Sequence, residues 1–436
     1  MTVQGVAVDS RLSGQETSLI PTFTQTYDLL VTGGRVMDPS QNVHGPRDIA
    51  VAGGRIVRIE AAGSIDRRTA RRVLDAAGKI VTPGLIDLHT HVAGGLRKIA
   101  SEETMLAADL GGVFSGVATV LDAGSTGAYN VAGFINHVID APSTKTRVLA
   151  LINVGTTGVM KAPEVRDAAD IDRDASVAAM RARPDVIKGV KLRMISPAIT
   201  AMGRDVAKAA KEIAVNGGGF VLVHIGDILK QDPIAPKLTP GLLTDVLGRG
   251  DIVTHSLTHQ PGGLLSGDSS QPASRRTLVP QAKEARAKGV IFDVGVGRAN
   301  FSFDSAKRVL DAGFVPDTLS SDITMGSRLG GPTYSLTECM GKLMSAGLSL
   351  ADVVRMTTSA PAHALGMSDV IGSLQVGREA DISIIEAVEG DWLFHDVTGA
   401  KNRGRMAIRP VCAIRRGEVM PLDFGPRPWG WLPDRV

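Results

Sequence analysis

His89 and His91 stand two residues apart in the run Leu85-Ile86-Asp87-Leu88-His89-Thr90-His91. If that run is a strand, both imidazoles lie on one face and can reach one cation. Nine histidines in 436 residues make a chance His-x-His easy to meet, so the pair carries weight only with partners. His224 closes the apolar run Phe220-Val221-Leu222-Val223, and His255 closes Ile252-Val253-Thr254. One histidine ending a strand is usually a satisfied core residue. Four at the ends of three strands point to a metal site.

Lys188 and Lys191 fall on opposite faces of a candidate strand over 186–194, because their separation is odd. Val190, Leu192 and Met194 share the Lys188 face and suit packing against helices. Lys191 and Arg193 then turn inward. A free ammonium beside divalent cations is repelled, so Lys191 either carries a CO2-derived carbamate that bridges two metals, pairs with a substrate anion, or is simply solvated. Asp322 ends the run Leu319-Ser320-Ser321-Asp322. A carboxylate there can bind a metal and take a proton from water, or simply cap the following loop.

The elements that must position these groups read as short apolar runs over 84–89, 118–122, 148–152, 186–194, 220–224, 252–255, 290–293 and 318–322. Amphipathic stretches such as 205–215, 305–312 and 335–346 lie between or after them. Eight βα alternations predict a TIM barrel, with the histidines, Lys191 and Asp322 at the strand ends where barrel active sites form. Short β-rich runs flank this middle at 28–31, 48–51, 55–59 and 72–75, and again at 380–385 and 411–416. Gly33-Gly34 and Gly53-Gly54 look like hairpin turns. Neither end buries enough alone, so the two ends together predict one small β domain.

The composition fits this class. Lys and Arg total 48 against 45 Asp and Glu, a net charge of +3, and the charges are spread along the chain. No basic face suggests nucleic acid. Two cysteines, Cys339 and Cys412, are too few for a disulfide framework. No secretory leader or run long enough to span a membrane is visible. These features predict a soluble cytoplasmic protein acting on a small molecule.

The stretch Thr82-Pro83-Gly84-Leu85-Ile86-Asp87-Leu88-His89-Thr90-His91 resembles the first-strand motif of the amidohydrolase superfamily. The runs Thr358-Ser359-Ala360-Pro361-Ala362-His363-Ala364-Leu365-Gly366 and Ile371-Gly372-Ser373-Leu374-Gln375-Val376-Gly377-Arg378-Glu379-Ala380-Asp381 are similarly characteristic of it. The resemblance spans about residues 27–420. It implies a (β/α)8 barrel, an α/β fold, with a β-sandwich formed by both ends. The expected division is a loose extension over 1–26, the β-sandwich over 27–80 plus 371–423, the catalytic barrel over 81–370, and a tail over 424–436.

By the same resemblance, His89 and His91 hold one metal, His224 and His255 the other, and Asp322 completes the first. Lys191 as carbamate bridges them together with a hydroxide. Zinc suits imidazole and carboxylate ligands, with manganese or cobalt as substitutes. Two metals roughly 3.5–4 Å apart acidify the bridging water and polarise the scissile carbonyl. Asp322 then relays the proton to the leaving group. Arg193 and Arg298 are candidate contacts for a substrate carboxylate. His259 either supports His255 or is a plain loop residue, His137 and His363 pack or cap helices, and Asp87 orients the first strand.

Gly189-Val190-Lys191-Leu192-Arg193 and Phe292-Asp293-Val294-Gly295-Val296-Gly297-Arg298 resemble a dihydroorotase-like branch that includes deacetylases and esterases of acylated small acids. Members of that branch often carry His where this chain has Val296, so the metal site carries over and the substrate preference does not. The implied reaction is hydrolysis of an amide or ester bond. The competing readings are a cyclic-amide hydrolase of the dihydroorotase or hydantoinase type, a mononuclear deaminase, and a scaffold that has lost its chemistry. A homo-oligomer is compatible with the resemblance.

Overall fold

The computed structural model describes residues 26–96, 105–230, 233–266 and 275–436. The expected loose extension lies outside them, apart from Thr26. Leu85–Thr90, Val117–Gly127, Arg147–Asn153, Ile187–Arg193, Phe220–His224, Ile252–Thr254 and Ile291–Phe292 form one parallel sheet in chain order. Their residues are apolar on both faces, and Val221, Leu222 and Val223 are all fully buried. That is the pattern of strands covered on both sides.

The expected eighth strand is not a regular one. Residues 318–323 close the barrel through two parallel bridges, Asp293 with Thr318 and Thr90 with Ile323. The reason is local: Asp322 has φ of 51°, which no extended run accommodates.

Helices Arg173–Ala182, Asp205–Gly217, Phe303–Asp311 and Leu336–Ser345 lie among those that follow the strands. Phe303–Asp311 starts where the Ser302 hydroxyl accepts the Ser305 amide at 3.1 Å, and it buries Ala306 and Val309. Capping of this kind is worth about 1 kcal/mol. Inside the barrel, Leu222 shares a strand face with His224, and Ile252 shares one with Thr254. Both belong to an apolar cluster with Leu121, Leu149 and Leu151, which forms a dry floor beneath the polar mouth.

Both ends of the chain build a second sheet. Its order is Glu418–Met420, Lys401–Arg415, Ile382–His395, Ile80–Pro83, Tyr27–Asp38, Val43–Ala52, Arg55–Ala61, with Ala70–Asp75 paired to Tyr27–Asp38. Gly53-Gly54 does join two strands of a hairpin. Gly33-Gly34 does not, because Tyr27–Asp38 runs through it with a register shift. The Asp48 carboxylate accepts the Gly33 amide there at 3.2 Å, so the bulge keeps its donor satisfied.

The segment expected as a tail is folded in. Asp434–Arg435 pairs antiparallel with Ile382–His395, and Leu432 packs on Trp392 and Phe394. Arg427 reaches buried Glu338 at 2.7 Å.

Ile80–Pro83 pairs with Ile382–His395 in this terminal sheet, and one residue later the chain enters the first barrel strand. At the seam, Arg147 lies 2.7 Å from both Glu379 and Asp381, and Arg415 lies 3.2 Å from both. The architecture is a (β/α)8 barrel joined to a β-sandwich made from both termini. Among the described residues, no helix is long and apolar enough to cross a membrane.

Candidate active site at the barrel mouth

His89, His91, Lys191, His224, His255 and Asp322 come together at the C-terminal ends of the strands. The Nε2 atoms of His89 and His91 each lie 3.3 Å from Asp322 Oδ1, and Lys191 Nζ lies 2.9 Å from His89 Nε2. The His255 ring centroid is 4.1 Å from that of His224 and 5.0 Å from that of His89. Five of the six line a cavity of about 180 Å³, and His255 is sealed behind its neighbours.

The backbone is bent to achieve this. His255 and Asp322 both have left-handed φ, at 69° and 51°. For non-glycine residues such conformations cost about 1–3 kcal/mol each and persist where the surroundings impose them. The Asp322 amide is held by the His89 carbonyl at 2.7 Å. Gly297, at φ of 58°, passes so close that a Cβ there would sit 2.2 Å from Asp322 Oδ2. A similar atom on Gly295 would lie 2.2 Å from Thr254 Oγ1. Only glycine leaves room for these groups.

Each imidazole is fixed from behind. His89 Nδ1 meets Thr254 Oγ1 at 3.1 Å, and that hydroxyl donates to Asp293 Oδ2 at 2.7 Å. His91 Nδ1 meets Ser125 Oγ at 3.0 Å, and that hydroxyl donates to Asp122 Oδ2 at 2.8 Å. Since each hydroxyl spends its proton on a carboxylate, the network assigns the ring proton to Nδ1 and a lone pair to Nε2. His255 Nδ1 donates to the Gly295 carbonyl at 2.6 Å, and His224 Nε2 to the Gly226 carbonyl at 3.0 Å. His255 Nε2 is buried with no hydrogen-bond partner among the described residues.

The donor set therefore fits a cation. Two imidazole lone pairs point at a carboxylate oxygen with no proton between them, and His89, His91 and Asp322 form a group that could hold a metal ion. Such a convergence of acceptors is repulsive until a positive charge fills it. Burial holds His89 and His224 well below the usual imidazole range and takes His255 down to about 4. All three are neutral at pH 7. Burial also brings Lys191 down to about 7, against the pull of Asp322. For Asp322, burial pushes upward, but the facing His91, His255 and Lys191 side chains outweigh it and keep the carboxyl low.

Arg193 turns inward as expected and lines the cavity, but its guanidinium is already engaged. Glu164 takes it bidentately, with Nε 2.5 Å from Oε1. Burial raises the Glu164 carboxyl, and the Arg193 charge more than reverses this. Arg193 is thus a paired cation rather than an open clamp. Arg298 and Asn300 line the cavity on the loop after the seventh strand.

Asp87 accepts the Ser321 amide at 3.0 Å and the His89 amide at 3.3 Å. It ties the first strand to the barrel-closing segment, as an orienting residue should. His259 is half-buried, with its Nδ1 unpartnered among the described residues. His137 and His363 are exposed on their helices instead of packing. Sequence reasoning missed Glu164, Asp122, Ser125, Thr254 and the supporting place of Asp293. Their signal was faint: hydroxyl and acidic residues within or just beyond apolar strands.

A model of the amidohydrolase family matches residues 80–405. A deacetylase of Agrobacterium fabrum is 30% identical over 377 residues, covering 86% of each chain. A deacetylase of Enterococcus faecalis is 29% identical, covering 90% of this chain and 99% of its own. Among solved structures, an adenine deaminase superposes with a TM-score of 0.78 at 27% identity, covering 91% of this chain and 100% of its own. A dihydroorotase superposes at 0.75 and 26%, covering 91% and 98%. With the family model spanning most of the barrel and the relatives most of the chain, the protein is a hydrolase that belongs to the amidohydrolase family.

Proposed function

We propose that the chain is a binuclear metal-dependent hydrolase that cleaves an amide or ester bond of a small, carboxylate-bearing substrate, as a deacetylase does. The carrying observation is the convergence of His89 Nε2, His91 Nε2 and Lys191 on Asp322, beside a buried His255 Nε2 that has no hydrogen-bond partner among the described residues. His89, His91 and Asp322 would hold one divalent ion, and His224 and His255 the other. Zinc is the first candidate, with manganese or cobalt as alternatives.

When bound, such ions acidify water and polarise the scissile carbonyl. Lys191, whose burial favours the neutral amine, attacks CO2 through Nζ and loses a proton. The carbamate formed carries the negative charge that two cations require. Asp322, kept ionised, takes the proton of the attacking water at a carboxylate oxygen. It delivers that proton to the leaving nitrogen or oxygen. Arg298 is the proposed contact for the substrate carboxylate, and Arg193 is bound to Glu164 instead.

The deacetylases at 29–30% identity favour acyl transfer to water. The dihydroorotase structure at 26% identity supports a second reading, opening of a cyclic amide. Cys339 and Cys412 are buried free thiols, in keeping with a cytoplasmic site of action.

Elemental mass spectrometry on protein purified with bicarbonate tests the proposal. About two metals per chain in wild type, falling to one or none in Lys191→Ala, is the expected result. One metal in both proteins removes the carbamate. No metal in either overturns the metal-dependent reading. N-acetyl and O-acetyl acids, screened beside dihydroorotate and hydantoins, decide between the two substrate classes.

A further inference from the structure

The four histidines are braced in two different ways. His224 and His255 each donate to a backbone carbonyl, those of Gly226 and Gly295. His89 and His91 instead lean on hydroxyls that end in buried carboxylates, Thr254 to Asp293 and Ser125 to Asp122. A carbonyl is a neutral dipole, whereas a carboxylate reached through one hydroxyl makes an imidazole a stronger electron donor and holds its tautomer more firmly.

The carboxylates are themselves fixed. Asp293 accepts hydroxyls from Thr254, Thr318 and Ser320 at 2.6–2.8 Å, gathering the sixth strand and the barrel-closing segment. Asp122 accepts the Ser125 and Val92 amides, each at 2.8 Å, and Val92 directly follows His91. Thr254 and Ser125 are fully buried, so water does not compete for either hydroxyl. The space around Thr254 Oγ1 is kept free by Gly295, which tolerates no side chain there.

We propose that Thr254 and Ser125 are positioning residues that relay the charge of Asp293 and Asp122 to His89 and His91, making the first-strand pair the tighter of two cation positions. The inference rests on the metal-dependent reading above. Supporting groups of this kind change metal affinity by about tenfold to a hundredfold.

The test is metal release from the loaded protein into a chelator, followed by absorbance. Wild type releases its metal in two phases. Thr254→Val, which keeps the shape and removes the hydroxyl, speeds the slower phase about tenfold to a hundredfold and leaves the faster one alone. Thr254→Ser restores wild-type release. Ser125→Ala has the same effect through the other histidine, and it decides the matter if Thr254→Val does not fold.

The melting temperature of the metal-free proteins separates this role from a packing role. Packing alone would lower that temperature and leave release unchanged. A single release phase in wild type, or a slow phase indifferent to both substitutions, overturns the inference while leaving the hydrolase reading intact. Wild type that holds no metal overturns both.

Discussion

At the seam between barrel and terminal sheet, Arg147 and Arg415 face Glu379 and Asp381 at 2.7–3.2 Å. At the barrel mouth, His89, His255 and Lys191 are buried at least as deeply, with His91 and Asp322 partly buried, yet their charges and lone pairs do not balance among themselves. The seam sets two arginines against two carboxylates, so its charge balances, although the Nε atoms of Arg147 and Arg415 have no hydrogen-bond partner among the described residues. The mouth has an excess of acceptors, two left-handed backbone positions, and a lysine whose ammonium form burial disfavours. Buried charge that balances internally joins parts of the fold. Buried acceptors whose charge is left unbalanced are, on the proposed function, the place a cation would fill.

Substitutions at the two places sharpen this contrast. The largest effect is expected at the mouth: Asp322→Asn removes the proposed proton carrier and lowers kcat/KM by about 10²–10⁴-fold. The protein should still melt cooperatively, and steady-state kinetics beside calorimetry on one preparation decide the point. Activity within twofold of wild type would deny Asp322 its role.

At the seam, Arg147→Ala leaves Asp381 short of a partner and costs about 3–5 kcal/mol of stability, as breaking a buried pair does. Metal content of the surviving folded protein stays at the wild-type value. Urea unfolding with elemental analysis checks both halves, and a loss of metal without loss of stability would reverse the contrast. The smallest effect belongs to a pair outside both regions. Lys307 and Asp311 meet at 2.7 Å with both side chains more than half exposed. Lys307→Ala should change stability by less than about 0.5 kcal/mol. A loss above 1 kcal/mol would mean that surface pairs here do more than solvent normally permits.

The groups readable from sequence were those whose placement follows from strand periodicity. His89 and His91 share a face because they stand two positions apart, and Lys191 opposes Lys188 because they stand three apart. The supporting groups could not be read, because their partners are brought in from afar. Thr254 meets His89 across 165 positions, and Glu164 meets Arg193 across 29. The inward turn of Arg193 was legible, but its pairing was not. The closing strand misled for the opposite reason: Leu319-Ser320-Ser321 looks extended, and only the left-handed turn at Asp322 reduces it to two bridges. Gly33-Gly34 misled because a bulge and a hairpin draw on the same residues.

Thr82 and Ser383 meet in the terminal sheet although 301 positions separate them. During synthesis at about 5–20 residues per second, Ile80–Pro83 leaves the ribosome roughly 15–60 s before the strand that must flank it. The first barrel strand is attached to that unfinished edge, so its two histidines wait with it. The barrel can draw together in the interval, but its mouth takes final shape only after the far end of the chain has been made. A truncation that removes Ile382–His395 would therefore affect the histidine pair through the timing and completeness of folding, with no contact to either imidazole.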